Sequence, residues 1–165
     1  MNQKLCPVIS ILLVLFWMVF IFIFSAQPAE RSSQNSDGIV NQIIENGYPE
    51  FSDQNPEEQA SIRNTITVIV RKSAHLGEYA LLSILIYAFC TSFKSDFVSR
   101  HKWWIAFAIS VVYAASDEIH QLFVPGRSGE VRDVLIDSLG AAIGIVIISY
   151  LHRTIAFKKE NSSEE

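Results

Sequence analysis

Residues Asp117 to Asp137 read DEIHQLFVPGRSGEVRDVLID, and this stretch decides the fold. It holds five carboxylates, one histidine, one glutamine and two arginines within twenty-one residues. An apolar run long enough to enter a bilayer lies on each side of it. Charge at the junction of two membrane helices is costly and therefore usually serves a function. The stretch predicts both a membrane fold and the position of a functional site.

Four apolar segments predict four membrane helices. Half of the residues are hydrophobic, and the mean hydropathy is +0.26. A spanning helix needs about 20 mostly apolar residues. The first and last segments approach this length unaided, whereas the middle two reach it only by including charged residues at one end. We therefore expect an all-α, four-helix transmembrane bundle. Its predicted helices are about 7–26, 73–93, 103–123 and 131–152.

The distribution of basic residues predicts the orientation of this bundle. Short segments that would face the cytoplasm are denser in Lys and Arg than the long connection at 27–72, which has more acids than bases. The prediction is a single domain over 1–152 with both termini inside, followed by a disordered cytoplasmic tail at 153–165. The first apolar run exceeds the 7–15 residues of a signal-peptide core, so we expect an uncleaved helix.

The connection at 27–72 is predicted to be an extracytoplasmic loop with helical parts. Ser32 to Gly38 has the composition of a loop. A short amphipathic helix is expected from Ile39, where apolar residues recur at helical spacing. Asn55 and Pro56, followed by two glutamates, predict a helix start. This helix is expected to continue into the second membrane helix.

Composition also excludes some classes of function. No basic run suggests nucleic acid. Cys6 and Cys90 both fall on the predicted cytoplasmic side, where thiols stay reduced, so neither a disulfide nor a cysteine metal site is expected. No cofactor is predicted, and the sequence does not define an oligomeric state.

Three of the predicted helices bring polar residues to the same end of the bundle, because the chain reverses at each connection. Helical spacing groups these residues into faces that point inward. On the fourth helix the carboxylates share a stripe with Gly140 and Gly144, a GxxxG pair that lets helices approach closely. The converging residues are Lys72, His75, Glu78 and Tyr79; Asp117, Glu118, His120 and Gln121; and Asp133 and Asp137.

Each candidate residue has both a structural and a functional interpretation. Lys72, and Arg127 in the Pro-Gly turn, could hold an anion such as a lipid phosphate, or could simply pair with a carboxylate or reach the headgroups. His75 and His120 could act as general bases, or could be histidines satisfied by a neighbouring carboxylate. A metal site is a weaker alternative that would use His75, Glu78, Asp117 and His120.

The motif set resembles the VanZ family of small bacterial membrane proteins. The likeness covers about residues 8–150 and includes the Ser-Ala-Gln-Pro exit from the first helix. It implies a multi-pass protein of the bacterial plasma membrane and a link to the cell envelope, because the family's namesake is associated with resistance to the glycopeptide teicoplanin. The residues that carry it are Lys72, His75, Glu78, Tyr79, Asp117, Glu118, His120, Gln121, Phe123, Pro125, Gly126, Arg127, Asp133, Val134, Asp137 and Gly140.

Three hypotheses of function follow. The first is a binding protein whose outward-facing pocket recognises membrane lipids, lipid-linked envelope precursors or a lipoglycopeptide. Lys72 and Arg127 would hold the anion, and Tyr79, Glu118, Gln121 and Asp137 would shape the pocket. The second is an enzyme on the same substrates, with a catalytic set of His75, Glu78, Asp117, His120 and Asp133. The third is a purely structural module or a subunit of a proton-coupled transporter.

Overall fold

The computed structural model describes residues 5–161, and the side chains of residues 7–155. Within this range the chain folds into helices and contains no strand. The elements are α1 (Leu5–Ser25), α2 (Ala29–Gly47), a 3-10 turn (Pro49–Asp53), α3 (Pro56–Thr91), α4 (Asp96–Gln121) and α5 (Val131–Asn161). The all-helical fold predicted from the sequence is confirmed.

Three segments of the described chain are long and apolar enough to cross a membrane. They are Pro7–Ser25, Pro56–Thr91 and Val131–Ile155. Helix α4 is not among them, because its uninterrupted apolar stretch is short and it carries Asp117 and Glu118 near its end. Most large side chains of α1 face outward, as expected for a helix surrounded by lipid. Composition thus supports three of the four predicted spans.

Helix α3 is the central element of the fold, because it packs against each of the other four helices. It begins as the sequence predicts: the Asn55 side chain accepts a hydrogen bond from the Glu58 amide at 2.9 Å, and Pro56 takes the first helical position. Its 36 residues extend about 54 Å at 1.5 Å per residue. That length exceeds a bilayer core of about 30 Å. The first turns of α3 therefore extend beyond the apolar bundle and pack against α2.

The core of the bundle lies where α3 contacts α1, α4 and α5. Aromatic and branched side chains of α3 are fully buried there and separate the polar end of the bundle from the opposite end. The fully buried hydrophobic residues at its centre are Ile21, Tyr79, Leu82, Ala106, Ala114 and Ala141.

The predicted loop from Ser32 to Gly38 is wrong, because α2 already begins at Ala29. Serine hydroxyls inside this helix bond to carbonyls four residues earlier: Ser33 donates to Ala29 at 2.9 Å, and Ser36 donates to Ser32 at 3.2 Å. Their polar groups are thus satisfied without a turn. Ser36 also lies on the buried face that α2 presents to α3, so tertiary packing overrides local propensity.

Two further boundaries differ from the sequence prediction. Helix α4 begins at Asp96 rather than near 103, because the Ser95 side chain caps the amide of Val98 at 3.5 Å. Helix α5 continues to Asn161, so the disordered tail predicted from 153 is wrong for residues up to that point. Residues 162–165 lie outside the described range.

The packing of α2 on α3 gives a first testable expectation. Ile44 is 5 % exposed and packs with Val40 and Ile66, whereas Ile43 is 39 % exposed. Ile44→Ala is expected to weaken the docking of α2 by about 2–5 kcal/mol, because it leaves a cavity in this small cluster. Amide exchange across α2 should accelerate in Ile44→Ala and stay unchanged in Ile43→Ala. Equal exchange in the two variants would contradict the packing.

Candidate functional site

The site depends on a close approach between α3 and α5. A Cβ atom added to Gly140 would collide with the carbonyl oxygen of Leu76, and one added to Gly144 would collide with the carbonyl oxygen of Ala80. The two backbones are therefore in direct contact at the GxxxG pair, as the sequence predicts. One consequence is that the Lys72 ammonium on α3 forms an ion pair with the Asp133 carboxylate at the start of α5.

The turn between α4 and α5 is held against the bundle by backbone contacts. The Glu118 carboxylate accepts a hydrogen bond from the Glu130 amide at 2.9 Å, immediately before α5 begins. Gly129 lies so close to the carbonyl of Glu118 that a Cβ atom would not fit. Gly126 has a φ of 73°, a conformation that side chains other than glycine rarely adopt. The glycines of VPGRSGE thus shape a tight lid over the polar end of the bundle.

Two small clefts open beside this turn, each with a volume of about 200 Å³. The turn cleft lies between α3 and the α4–α5 turn, and the α2 cleft lies between α1, α2 and α3. They share three wall residues, Arg71, His75 and Arg127. The turn cleft is completed by Val68, Lys72, Gln121, Gly126, Ser128, Glu130 and Asp133. The α2 cleft is completed by Phe24, Ser32, Asn35, Ser36, Ile39, Val70, Ala74 and Glu78.

A pair of arginines forms the wall between the two clefts. Arg127 donates from Nε to the carbonyl of Gln27 at 3.2 Å and from Nη1 to Oε1 of Gln121 at 3.4 Å. The Nε of Arg71 is buried and has no hydrogen-bond partner within the described chain. Burial and the adjacent Arg71 guanidinium lower the pKa of Arg127, whereas nearby carboxylates act in the opposite direction. Two partly buried guanidinium groups side by side favour an anion, which they can bind bidentately.

His75 of this wall is paired with Glu78, which lines the α2 cleft. The Nδ1 of His75 lies 3.4 Å from Oε2 of Glu78, and both side chains remain partly exposed. A carboxylate in this position orients the imidazole. A histidine oriented in this way has the composition of a general base.

A buried polar layer lies beneath the clefts. The amide of Gln121 donates to Asp117 at 3.2 Å and to Glu118 at 3.3 Å, and these three side chains are almost fully buried. Asp137 is 1 % exposed and Tyr79 is 0 % exposed. The carboxyl oxygens of Asp137 and the hydroxyl of Tyr79 have no hydrogen-bond partner among the described residues. These five residues support the wall of the clefts from below.

His120 lines neither cleft. Its ring stacks on Phe22 of α1 with centroids 4.5 Å apart. Among the side chains of residues 7–155, no three His, Cys, Asp or Glu groups are placed to hold one ion.

The sequence missed one important residue, Arg71. It precedes His75 by four residues and therefore lies on the same helical face, but its neighbour Lys72 was predicted to hold the anion. Lys72 is instead engaged by Asp133. The predicted residues that the structure brings together at the clefts are Lys72, His75, Glu78, Gln121, Arg127 and Asp133, with Tyr79, Asp117, Glu118 and Asp137 buried below.

Comparison with known proteins gives the chain its family. No curated protein matches it, and neither does any solved structure. The model of the VanZ/LLP1 family matches residues 10–153, a range that contains every residue of both clefts. This range covers most of the chain and carries the motif set singled out in the sequence. The protein belongs to the VanZ/LLP1 family.

Proposed function

We propose that this protein is a four-span plasma-membrane protein of the bacterial envelope that binds an anionic amphiphile in an outward-facing pocket. The observation that carries the proposal is the arginine pair of Arg71 and Arg127, which lies in a wall shared by two clefts at one end of an apolar bundle. Such a position suits a molecule with an anionic group and an apolar part.

The proposed topology has both termini inside. It requires α4 to span the membrane, and in that case the end of α4, the start of α5 and the middle of α3 lie on the outer side. Contacts among these parts support their common position: Lys72 pairs with Asp133, and Arg127 bonds to Gln121. The hairpin of α2 and the first half of α3 would then stand outside the membrane, above the clefts.

The anion that best fits this site is a lipid phosphate or pyrophosphate. A guanidinium group presents a planar set of donors that matches phosphate oxygens, and it does not lose its charge on partial burial. We assign this role to Arg71 and Arg127, and we assign Lys72 to the ion pair that fixes α3 against α5. The association of the family's namesake with teicoplanin, a lipoglycopeptide that acts at the envelope, is consistent with such a ligand.

Removing the arginines tests this proposal. Arg71→Ala and Arg127→Ala should each reduce co-purification of phosphate-bearing lipids by about tenfold or more, since a charge-assisted hydrogen bond contributes about 1.5–3 kcal/mol. Mass spectrometry of lipids bound to purified protein provides the measurement. Arg132→Ala is the matched control, because Arg132 is exposed and lines neither cleft. Any effect on resistance is tested by teicoplanin susceptibility of cells that express each variant at equal membrane abundance.

A second candidate function is an enzyme that acts on the same lipid. The observation that favours it is the His75–Glu78 pair: His75 belongs to the shared wall with the arginines, and Glu78 lines the α2 cleft. Incubation of the protein with a lipid phosphate, followed by mass spectrometry, would detect turnover. An enzyme of this kind should lose turnover in His75→Ala and keep it in His120→Ala, because His120 lines neither cleft.

A further inference from the structure

The two clefts have different chemical linings although they share the arginine wall. The α2 cleft has polar side chains from α2 and α3 in its lining, including Asn35 and Glu78, but most of its open surface is apolar. That apolar surface comes from α1, α2 and α3, through Phe24, Ile39, Val70 and Ala74. Phe24 and Ile39 are 40 % and 55 % exposed, so this cleft continues outward along an apolar surface. Phe24 also belongs to the apolar segment Pro7–Ser25. The α2 cleft therefore opens beside a membrane helix, where a hydrocarbon chain would leave it.

The turn cleft is lined mainly by polar groups from the α4–α5 turn and the start of α5. The Ser128 hydroxyl donates to Oε1 of Glu130 at 3.3 Å, and both side chains are exposed to the cleft. Asp133 completes this side but is already paired with Lys72. Glu130 and Ser128 thus present hydrogen-bonding oxygen atoms that have capacity to spare, and such atoms favour hydroxyl groups of a ligand.

The size of the turn cleft limits what it can hold. Its volume of about 200 Å³ is below the 300–1,000 Å³ that is typical of pockets for drug-sized ligands. A small hydroxylated group such as glycerol matches this volume better than a disaccharide does. A ligand that ends at its phosphate would make no use of the oxygen atoms of Glu130 and Ser128, which would then bond only to each other and to water.

We propose that the ligand is a phosphodiester lipid that bridges both clefts. Its phosphate lies between Arg71 and Arg127, its hydrocarbon chains follow the α2 cleft, and its small hydroxyl-bearing headgroup occupies the turn cleft. This inference rests on the proposed function, because it assumes that the arginine pair binds an anionic amphiphile. It adds the class of lipid and the direction in which the lipid is bound.

The test compares three probes on the full-length protein in detergent. Dioleoyl phosphatidylglycerol and dioleoyl phosphatidylmethanol carry the same charge and chains, and they differ in the hydroxyl groups of the head. Glycerol phosphate has the hydroxyl groups but no chains. Phosphatidylglycerol is expected to bind about tenfold more tightly than phosphatidylmethanol, because it gains hydrogen bonds in the turn cleft. Glycerol phosphate is expected to bind far more weakly than either lipid, because it leaves the α2 cleft empty.

Variants assign each part of the ligand to its cleft. Ser128→Ala combined with Glu130→Ala should remove the preference for phosphatidylglycerol, so that the two lipids bind this variant with equal affinity, because both carry the same charge and respond alike to the loss of the Glu130 carboxylate. Ala74→Phe narrows the α2 cleft and should weaken both lipids to the same degree. Ser73→Phe is its control, because Ser73 is exposed on the same helix and lines neither cleft.

The outcomes separate the two proposals. Equal affinity for the two lipids, with both lost in Arg71→Ala, would overturn the bridging arrangement and leave the anion site intact. A preference for phosphatidylglycerol that survives the double alanine variant would overturn the placement of the headgroup. Glycerol phosphate binding as tightly as phosphatidylglycerol would overturn the placement of the chains. Failure of both lipids to bind, or binding that is indifferent to Arg71 and Arg127, would overturn the proposed function itself.

Discussion

Replacing Gly140 with alanine is expected to destabilise the bundle by about 3 kcal/mol, the upper end of the usual cost of overpacking. The added Cβ atom would collide with the backbone carbonyl of Leu76, and backbone cannot move aside as the tip of a flexible side chain can. The two helices must separate or slide to accommodate the methyl group. Either movement shifts Lys72 relative to Asp133 and disturbs the wall between the clefts.

Gly77→Ala provides a control, because this glycine-to-alanine substitution is expected to leave the stability unchanged or to raise it. A Cβ atom on Gly77 has nothing within 4 Å, although Gly77 lies on α3 only one residue from Leu76. Alanine in a helix interior is favoured over glycine by about 1 kcal/mol, so Gly77→Ala should be neutral or stabilising. Thermal unfolding in detergent measures both variants. A Gly140→Ala protein as stable as the wild type would show that α3 and α5 are not in backbone contact.

The position of the site could be predicted because it depends on chain direction alone. Helices that alternate in direction must bring the end of α4 and the start of α5 to the same side, together with the polar turns of α3. The start of α3 at Pro56 could also be predicted, because Asn55 caps the helix through local hydrogen bonds. Features that depend on the nearest few residues, or on the order of the helices, are therefore accessible from sequence.

Features that depend on the rotation of a helix about its axis were harder to predict. His120 follows Asp117 by three residues, and this spacing places both on one broad face. The His120 ring stacks on Phe22 of α1, whereas the Asp117 carboxyl lies beside Gln121 and near Ser25 at the end of the same helix. Spacing fixes the angle between two residues but not which side chains each one meets, because those depend on packing around the whole bundle.

The assignment of charge partners failed for a similar reason. Arg71 and Lys72 are adjacent in sequence, so they point in directions about 100° apart on α3. Only the register between α3 and α5 decides that Lys72 meets Asp133 and that Arg71 faces the clefts. That register is set by contact of Gly140 and Gly144 with α3. The GxxxG pattern predicts a close approach, but it does not say that Leu76 and Ala80 are the residues approached.

Removing the Glu118 side chain is expected to have the second largest effect, because this carboxylate connects the buried polar layer to the turn. It accepts hydrogen bonds from the Glu130 amide and from Gln121, and Gln121 in turn accepts one from Arg127. Glu118→Ala leaves the Glu130 amide without this acceptor at the start of α5. Loss of a hydrogen bond to a charged group costs about 1.5–3 kcal/mol. The turn should loosen, and Arg127 should lose its fixed position in the wall.

Amide exchange and lipid affinity test this expectation, and Glu118→Gln separates the loss of one hydrogen bond from the loss of both. Amide exchange at 127–131 should accelerate in Glu118→Ala, and affinity for an anionic lipid should fall by about tenfold or more. Glu118→Gln keeps one oxygen atom that can accept from the Glu130 amide, so it should retain most of the order in the turn. It loses the bond from Gln121, because the new side-chain NH2 group would face the NH2 group of Gln121 and both are donors. The lipid affinity of Glu118→Gln should therefore lie between those of the wild type and Glu118→Ala. Unchanged exchange in Glu118→Ala would mean that the glycines alone hold the turn, and that Arg127 is positioned by Gln27 rather than through the buried layer.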